Sequence, residues 1–561
     1  MTVVLLNLEV LSLGFLVDDY ILLDNVIHYG IKLAGGWLEN SALYRPIIIL
    51  SMWLNLESFG SNPQGYHLFN LLVHVTNVLI LFFLIRFIFR TLGQEPPLPE
   101  WKLSLYSFLS VLVFVLHPAN VHDVAWIRGR TDLLCALFFF TSLALFVRFE
   151  QNNKKSLKIL SVLSYILALG SKETAIILPL ILVLLSFHIA LCRKNYSADR
   201  HGLLALAKAL CKRTLVYFLV AFFYLLFRAL IFEKSAEHLN WSTVGVQEFL
   251  LLLAKSTFLF FSPLDPLSSF YLFINSPFVA VPVILFMAFV VRLFYFSLCS
   301  RVRVLVAGFL VLSTMLLSIL PYIYLGSISQ RLMYIPIGCT ILQSIPMIGL
   351  IRLSLKNGMK RRIAMAVVFL VILCIYFSFY RANIDAWVEA SMLAKQVVRE
   401  TVDQLDDPQK PIVILTYPHR VNQTYILWGL PDVLHFGIYG TFGRCENVRS
   451  GLIIVGPDFN TIGSEIYLFR SSSPHNSFLI ESRNSRQFLL LDPEGMSFPK
   501  GDIVWDTEPG EVLDNSLVSA KILETNSARR PTKLQVTILD RTFYSHAQVF
   551  VFQDHHMRRI Q

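Results

Sequence analysis

The sequence predicts a polytopic α-helical membrane protein of about 11 spans with a C-terminal extracytoplasmic mostly-β domain. Three observations predict it. Hydrophobic residues fill 55% of the 561 positions and charged residues only 15%, with a mean hydropathy of +0.59. An ordinary soluble domain carries about 25% charged residues. Long apolar runs recur up to residue 380, and none follows Arg381. This excludes a disordered chain, a nucleic-acid-binding domain and an enzyme that is soluble throughout. The net charge of +10 lies between apolar runs, where it reports topology and not a polyanionic partner.

A membrane-crossing helix needs about 20 mostly apolar residues. The candidate spans are 1–17, 66–90, 103–117, 132–148, 157–170, 174–192, 214–232, 277–296, 303–325, 332–352 and 362–380. The first lacks the basic start and small-residue cleavage site of a signal peptide, so it reads as an uncleaved helix. A twelfth run, 248–262, reads as a helix at the outer interface or one that dips in and out.

Cytoplasmic loops carry the excess of Lys and Arg. Segments 86–102, 148–158, 193–213, 292–303 and 352–362 hold 21 such residues, whereas the alternate loops 18–65, 117–132, 171–174, 233–276 and 326–331 hold 8. The first set is therefore expected inside. The N-terminus is then cytoplasmic and the C-terminal segment outside.

Beyond the membrane part, 1–380, the chain reads as a linking helix, 381–410, and a mostly β domain, 411–561. Short β-like runs occur at Ile412–Leu415, Leu452–Val455, Ile466–Arg470, Phe478–Glu481, Phe488–Leu491, Leu534–Leu539 and Val549–Phe552. Gly, Pro, Asn and Asp punctuate them. The seven cysteines are scattered without a CxxC pair, so neither a zinc site nor a disulfide framework is indicated.

Polar residues gather at expected outer helix ends. The longest outer loop, 18–65, opens on Asp18-Asp19 and carries amphipathic stretches near 20–34 and 43–58. Adjacent carboxylates repel, and one can hold a raised pKa. Such a pair can supply a general base, face a cation, or simply end or cap a helix. A second cluster runs from His117 to Asp132 and includes His122, Asp123, Arg128 and Arg130. Its two arginines can hold a phosphate, or the segment can be an interfacial loop anchored by Trp126, with Asp132 capping the next helix. Lys172-Glu173 sits in a short turn, where it can contact a ligand or form a structural ion pair. Arg331 and Tyr334 precede the tenth span; an Arg there can also snorkel to the interface. His67, Asn70, His74 and Asn77 share one helix face. Stripes of this kind bind neighbouring helices, and His67, at the outer end, can also meet a ligand.

Together these segments resemble GT-C superfamily membrane glycosyltransferases. They are most similar to the transmembrane and tetratricopeptide repeat O-mannosyltransferases and their bacterial relatives. The likeness rests on Asp18-Asp19, Tyr44-Arg45-Pro46, Gly65 to His74, His117-Pro118 through Leu134, Ser171-Lys172-Glu173-Thr174, and Arg331 with Tyr334-Ile335-Pro336. It covers roughly residues 15–380. The chain departs from the family pattern in having Asn120 for a second His, His122 for a Glu and Gln330 for a Glu. It also lacks the tetratricopeptide repeats. The stretch from Pro418 to Gly440 somewhat resembles the extracytoplasmic domains of bacterial GT-C proteins.

The resemblance implies transfer of one sugar from a polyprenyl-phosphate-linked donor to an acceptor hydroxyl on the outer face. Asp18 or Asp19 would be the general base, and the anomeric configuration would invert. Arg128, Arg130, Lys172 and Arg331 would bind the donor phosphate. Arg45, His67, His117, His122, Asp123, Glu173 and Tyr334 are further candidates for substrate contact or support. No metal cofactor is expected, although an Asp pair with His117 or His122 can bind a divalent ion. The expected partners are the lipid donor, a glycan, lipid or protein acceptor and the bilayer, with no nucleic acid. Two other readings are a lipid-linked sugar transporter and a catalytically degenerate envelope glycan-binding or scaffold protein. Absence of duplicated halves with paired Gly/Pro breaks speaks against a transporter; the altered loop at Asn120–His122 favours the degenerate protein. A bacterial inner membrane is the expected location, with the endoplasmic reticulum membrane as the alternative, because a lone outward Cys445 suits a periplasm.

Overall fold

The computed structural model describes residues 2–16, 19–35, 44–91, 99–192, 200–231, 313–314, 316–318, 332–342 and 359–406, and, further on, 508–511 and the strands given below. The candidate spans 277–296 and most of 303–325 lie outside the described residues, as do 248–262, Asp18 and Arg331. The chain forms two compact units: Met1–Leu8, Ile31–Gly60 and Gly65–Ile384 make the first, and Glu9–Gly30, Ser61–Gln64 and Asp385–Gln561 the second.

The helices in chain order are α1 (Thr2–Leu6), α2 (Asp19–Tyr29), α3 (Pro46–Phe59), α4 (Pro63–Thr91), α5 (Glu100–Val115), α6 (Asn120–Ala125), α7 (Arg130–Asn152), α8 (Lys155–Ser171), α9 (Leu178–Cys192), α10 (Arg200–Ile231), α11 (334–342) and α12 (Met359–Asp403). Among the described residues, the segments Pro63–Arg90, Ile127–Asn152, Lys208–Arg228 and Phe369–Asp403 are helical, long and apolar enough to cross a membrane.

The run 1–17, expected as one span, is not one helix. It consists of α1, a 3-10 turn over Leu8–Ser12 and irregular chain to residue 16. Asn7 accounts for the break. Its side-chain amide donates to the Val3 carbonyl at 2.9 Å, and its backbone N–H bonds to Val4, three residues back. That pattern draws the chain out of α geometry. The run 174–192 likewise begins as a 3-10 turn, Glu173–Ile177, before α9.

Helices α7 and α8 are joined through Asn153, whose φ of 51° places it in the left-handed region that Asn tolerates at a helix end. Where they meet, Ser142 Oγ donates to the Ser161 carbonyl at 2.8 Å, and Ser161 Oγ donates to the Ser142 carbonyl at 2.7 Å. Small side chains let the backbones approach and satisfy the added polar groups across the interface. Phe139, Phe140, Phe146, Tyr165 and Tyr217 fill the surrounding core.

The second unit pairs a helical stalk with β structure. Strands β1 (Ile412–Ile414), β4 (Val448–Ser450), β13 (Gln548–Gln553) and β14 (His556–Arg559) form a four-stranded sheet in the order β14-β13-β1-β4, with β1 parallel to β13 and β4. Strands β6 (Tyr467–Ser472), β7 (Ser477–Ser482), β10 (Val512–Asp514), β11 (Val518–Thr525) and β12 (Pro531–Ile538) form an antiparallel sheet in the order β10-β11-β12-β7-β6. Strand β5 (Ile453–Val455) pairs with β8 (Leu489–Leu491), and β8 with β9 (Ile503–Val504). A hairpin, β2 (Arg420–Val421) with β3 (Thr424–Tyr425), lies within 418–440. Each of the seven β-like runs overlaps a strand. Helix α12 includes the first 23 residues of the expected linking helix, 381–410, and the two units divide between Ile384 and Asp385.

Candidate active site

The candidate residues of the first unit meet at one end of its helices, where α5, α8 and α10 finish and α4 and α7 begin. This is the end expected to face outward. The segment 117–132 folds onto it as α6, a 3-10 turn over Ile127–Gly129 and the start of α7. Gly129 makes that turn feasible. A Cβ on it would lie 2.5 Å from the Asp123 carbonyl oxygen and 2.7 Å from Asp123 Cα, so only glycine allows this approach.

The polar face of α4 holds the segment in place. Asn70 Nδ2 donates to the carbonyls of Trp126 (2.9 Å) and Ile127 (3.1 Å). Asn77 Nδ2 donates to the Leu133 carbonyl at 2.9 Å and to the Tyr334 hydroxyl at 3.3 Å. Tyr334 OH in turn lies 2.6 Å from His74 Nδ1. That hydroxyl donates to an unprotonated Nδ1 or accepts from a protonated one, according to the ring tautomer. Tyr334 therefore joins α11 to α4, and both it and His67 are fully buried.

Arg130, expected at a phosphate, is fully buried and bound to protein. Its Nη1 donates to Asn55 Oδ1 of α3 at 2.6 Å, Nε to the Ile127 carbonyl at 3.2 Å and Nη2 to the Tyr66 carbonyl at 3.3 Å. The guanidinium also lies over the rings of Tyr66 and Phe69, at 5.6 and 4.9 Å. This geometry makes it a tie between α3, α4 and α7. Arg128, two residues earlier, is half-buried. His117 is buried, edge-on to Tyr376 at 5.3 Å, and accepts the Ala119 N–H through Nδ1. His122 is half-buried and edge-on to Trp126, while Asp123 is fully buried.

Lys172 and Glu173 each make their shortest ion-pair contact with a different residue. Lys172 Nζ lies 2.6 Å from both Asp132 carboxylate oxygens. Asp132 is thus an ion-pair partner, with Gly129 and not Asp132 at the cap position of α7. Glu173 takes a two-point contact from Arg45: Nη2–Oε1 2.7 Å and Nε–Oε2 3.2 Å. Arg228 of α10 brings Nη1 to 3.9 Å from Glu173 Oε2. Burial alone would raise the Glu173 carboxyl, but the Arg45 charge and hydrogen bonds, with Lys172, hold it down to about 2. Burial lowers the Arg45 guanidinium less than Glu173 and Asp132 raise it, so it sits above its ordinary value.

In the second unit, Asp19 is the first residue of α2 and is buried. Its Oδ2 accepts the Leu16 N–H at 3.0 Å. The preceding chain is strapped to α12 by Gly14 N–H to Ser391 Oγ (2.8 Å) and Lys395 Nζ to the Ser12 carbonyl (2.9 Å). Among the described residues no group of three or more His, Cys, Asp and Glu is placed to hold a metal ion.

Sequence reading missed Asn55, Asp132 as the lysine's partner, and Arg228. Asn55 had a signal: with Ile48, Ser51 and Met52 it lies on the buried face of α3. Arg228 had one as well, a cation at the outer end of a span, against the usual charge bias.

No family model matches the chain. Among named proteins, the chain is similar to protein O-mannosyl-transferase TMTC4 of Homo sapiens, 32% identical over 130 residues, which is 23% of this chain and 17% of that one. Protein O-mannosyl-transferase F38B6.6 of Caenorhabditis elegans is 29% identical over 157 residues, 27% of this chain and 20% of its own. The chain thus spans about a fifth or less of the length of these relatives. Among solved structures, ArnT from Cupriavidus metallidurans bound to undecaprenyl phosphate superposes with a TM-score of 0.39 at 13% identity, covering 81% of this chain and 91% of that one. The apo form gives 0.42 at 14% identity, covering 82% and 91%. The resemblance read from the motifs and the named relatives agree: over the aligned residues the chain is similar to O-mannosyl-transferases.

Proposed function

We propose that this chain is an integral-membrane glycosyltransferase. It moves a sugar from a polyprenyl-phosphate-linked donor to an acceptor hydroxyl on the periplasmic or lumenal face. The observation that carries the reading is the order of the motifs, Asp18-Asp19 through Tyr334-Ile335-Pro336, shared with a family to which the named relatives belong. The clustering of Arg45, Arg128, Asp132, Lys172 and Glu173 at one helix end supports it.

In this reading Asp18 or Asp19 takes the proton from the acceptor hydroxyl. The oxygen attacks the anomeric carbon opposite the lipid phosphate, and the glycosidic C–O bond to phosphate breaks with inversion. General base catalysis contributes roughly 10²–10⁴-fold. The departing phosphate keeps the bonding electrons and needs preorganised cations. Arg128 and Arg331 serve that role in the proposal; Arg130 and Lys172 hold the segment that presents Arg128. Donor and acceptor meet at the outer leaflet, with the C-terminal domain on the same side and a bacterial inner membrane as the location. No metal takes part.

The test is sugar transfer in nanodiscs, with lipid mass spectrometry of the Asp18→Asn/Asp19→Asn double variant. Retention of an unreacted polyprenyl-phosphate sugar with loss of transfer supports the proposal. Full transfer by both single Asn variants would remove the base assignment. The second reading, a degenerate binder, is favoured by Asn120 and His122 standing where the resembled family has His and Glu; it predicts donor binding without transfer by the unaltered chain.

A further inference from the structure

Within the second unit, the chain leading into the acidic pair is a strap laid against α12. Residues 13–16 are irregular and all buried. Such chain takes its position from outside partners and not from a helix or strand ladder of its own. Two residues of α12, one turn apart, supply them. The Gly14 N–H donates to Ser391 Oγ at 2.8 Å, a buried contact between residues 377 positions apart. Lys395 Nζ donates to the Ser12 carbonyl at 2.9 Å, at the surface. Gly14 allows the close approach, since a Cβ there would lie 3.0 Å from Lys395 Cε and 3.7 Å from Ser391 Oγ. The strap then closes on the carboxylate itself. Leu16 N–H donates to Asp19 Oδ2 at 3.0 Å, and Asp19 N–H donates to the Leu16 carbonyl at 3.1 Å. Further along, α12 is held by β14: His556 Nδ1 lies 2.7 Å from Glu400 Oε1, and the Arg559 N–H donates to Gln404 Oε1 at 2.9 Å. A helix keeps a fixed rise of about 1.5 Å per residue, so Ser391 and Lys395 sit on a support secured beyond them.

We propose that Ser391 and Lys395 are positioning residues for the sugar transfer: they hold the strap whose end orients the Asp19 carboxylate. They act on the strap and not on the reacting atoms. The inference rests on the glycosyltransferase reading, in which Asp18 or Asp19 takes the acceptor proton, and in sequence the strap leads directly into that pair. Both residues lie beyond 15–380, the stretch over which the chain resembles the family. The aim of the base is thus assigned to the part of the chain that the family likeness leaves out.

The experiment uses the full chain in nanodiscs and reads two quantities. One is transfer from a panel of farnesyl-phosphate-linked hexoses, with a polar lipid extract as acceptor. The other is amide hydrogen exchange over residues 12–19. Ser391→Ala is expected to lower kcat about ten- to a hundredfold at unchanged donor KM, the effect of about 1 Å of misplacement. Exchange at Gly14 and Leu16 should rise at least about tenfold, since protection follows the local contacts that are lost. Lys395→Met should act in the same direction, and Lys395→Arg, which keeps a donor for the Ser12 carbonyl, should restore most of the rate. Arg399→Gln, at an exposed α12 position paired with Asp403, should change neither quantity. Faster exchange with wild-type kcat would overturn the positioning role, as would unchanged exchange in Ser391→Ala and Lys395→Met. A rate loss that only tracks the folded fraction, with Lys395→Arg no better than Lys395→Met, would reduce both residues to structural ones and overturn it too. If Ser391→Ala does not fold, the two Lys395 variants decide. Failure of the inference and of the function it extends are distinguishable. No transfer by the unaltered chain, with the strap still protected, removes the enzyme reading and the role with it; transfer indifferent to Ser391 and Lys395 keeps the enzyme and removes the role.

Discussion

Lys172 Nζ lies 2.6 Å from each carboxylate oxygen of Asp132, and both side chains are almost wholly buried. The pair couples the turn after α8 to the first turn of α7. Breaking a buried pair from one side strands the other charge, at about 3–5 kcal/mol. Lys172→Met should therefore lower stability by that order, and Lys172→Met/Asp132→Leu should recover most of it. Thermal unfolding of the single and double variants in nanodiscs checks this. A double variant as unstable as the single one would contradict the pairing.

Arg130 should behave as a structural residue. Arg130→Met leaves acceptors on Asn55, Ile127 and Tyr66 without their donor. Each such acceptor costs about 1–3 kcal/mol where water cannot replace the donor. The expected result is a lowered melting temperature with farnesyl phosphate affinity unchanged in the folded fraction. A selective loss of affinity at full stability would return Arg130 to the phosphate.

Gly129→Ala tests the fold of the 117–132 segment. Its methyl group would sit 2.5 Å from the Asp123 carbonyl oxygen, a backbone atom that cannot swing aside. Overpacking of this kind costs about 1–3 kcal/mol. Reduced stability together with reduced transfer is expected, because Arg128 rides on the same turn.

Tyr334→Phe removes the hydroxyl shared by His74 and Asn77. It leaves the buried His74 Nδ1 without that hydrogen-bond partner, at about 1–3 kcal/mol. Denaturation should register that loss, with the additional substitution His74→Phe relieving part of it.

The Glu173 carboxyl is held at about 2, below its ordinary value of 4.5. A carboxyl lowered on folding adds stability above the unfolded pKa, and that stability disappears as pH falls through the folded one. The Arg45–Glu173 contribution should thus be complete above pH 4.5 and decline toward pH 2. Melting temperatures from pH 7 to pH 2.5 should show a fall in this window that Glu173→Gln lacks.

Where sequence reading succeeded, a one-dimensional signal had a direct physical cause. Helices α4, α7, α10 and α12 follow from apolar run length, because a bilayer demands it. The seven β-like runs follow from short apolar stretches between turn residues. Break points were harder: Asn7 and the Glu173–Ile177 turn depend on single hydrogen bonds that hydropathy does not register.

The sequence alone determined the membrane character, the positions of these helices and strands, and which polar residues gather at one helix end, since each depends on composition and periodicity along the chain. The tertiary structure decided their partners. It paired Lys172 with Asp132, placed Arg130 on Asn55, and brought Arg45 and Arg228 to one carboxylate. Such pairings join residues 40 to 128 positions apart, and a charge bound within a buried contact is set by the packing of helices and not by the spacing of residues.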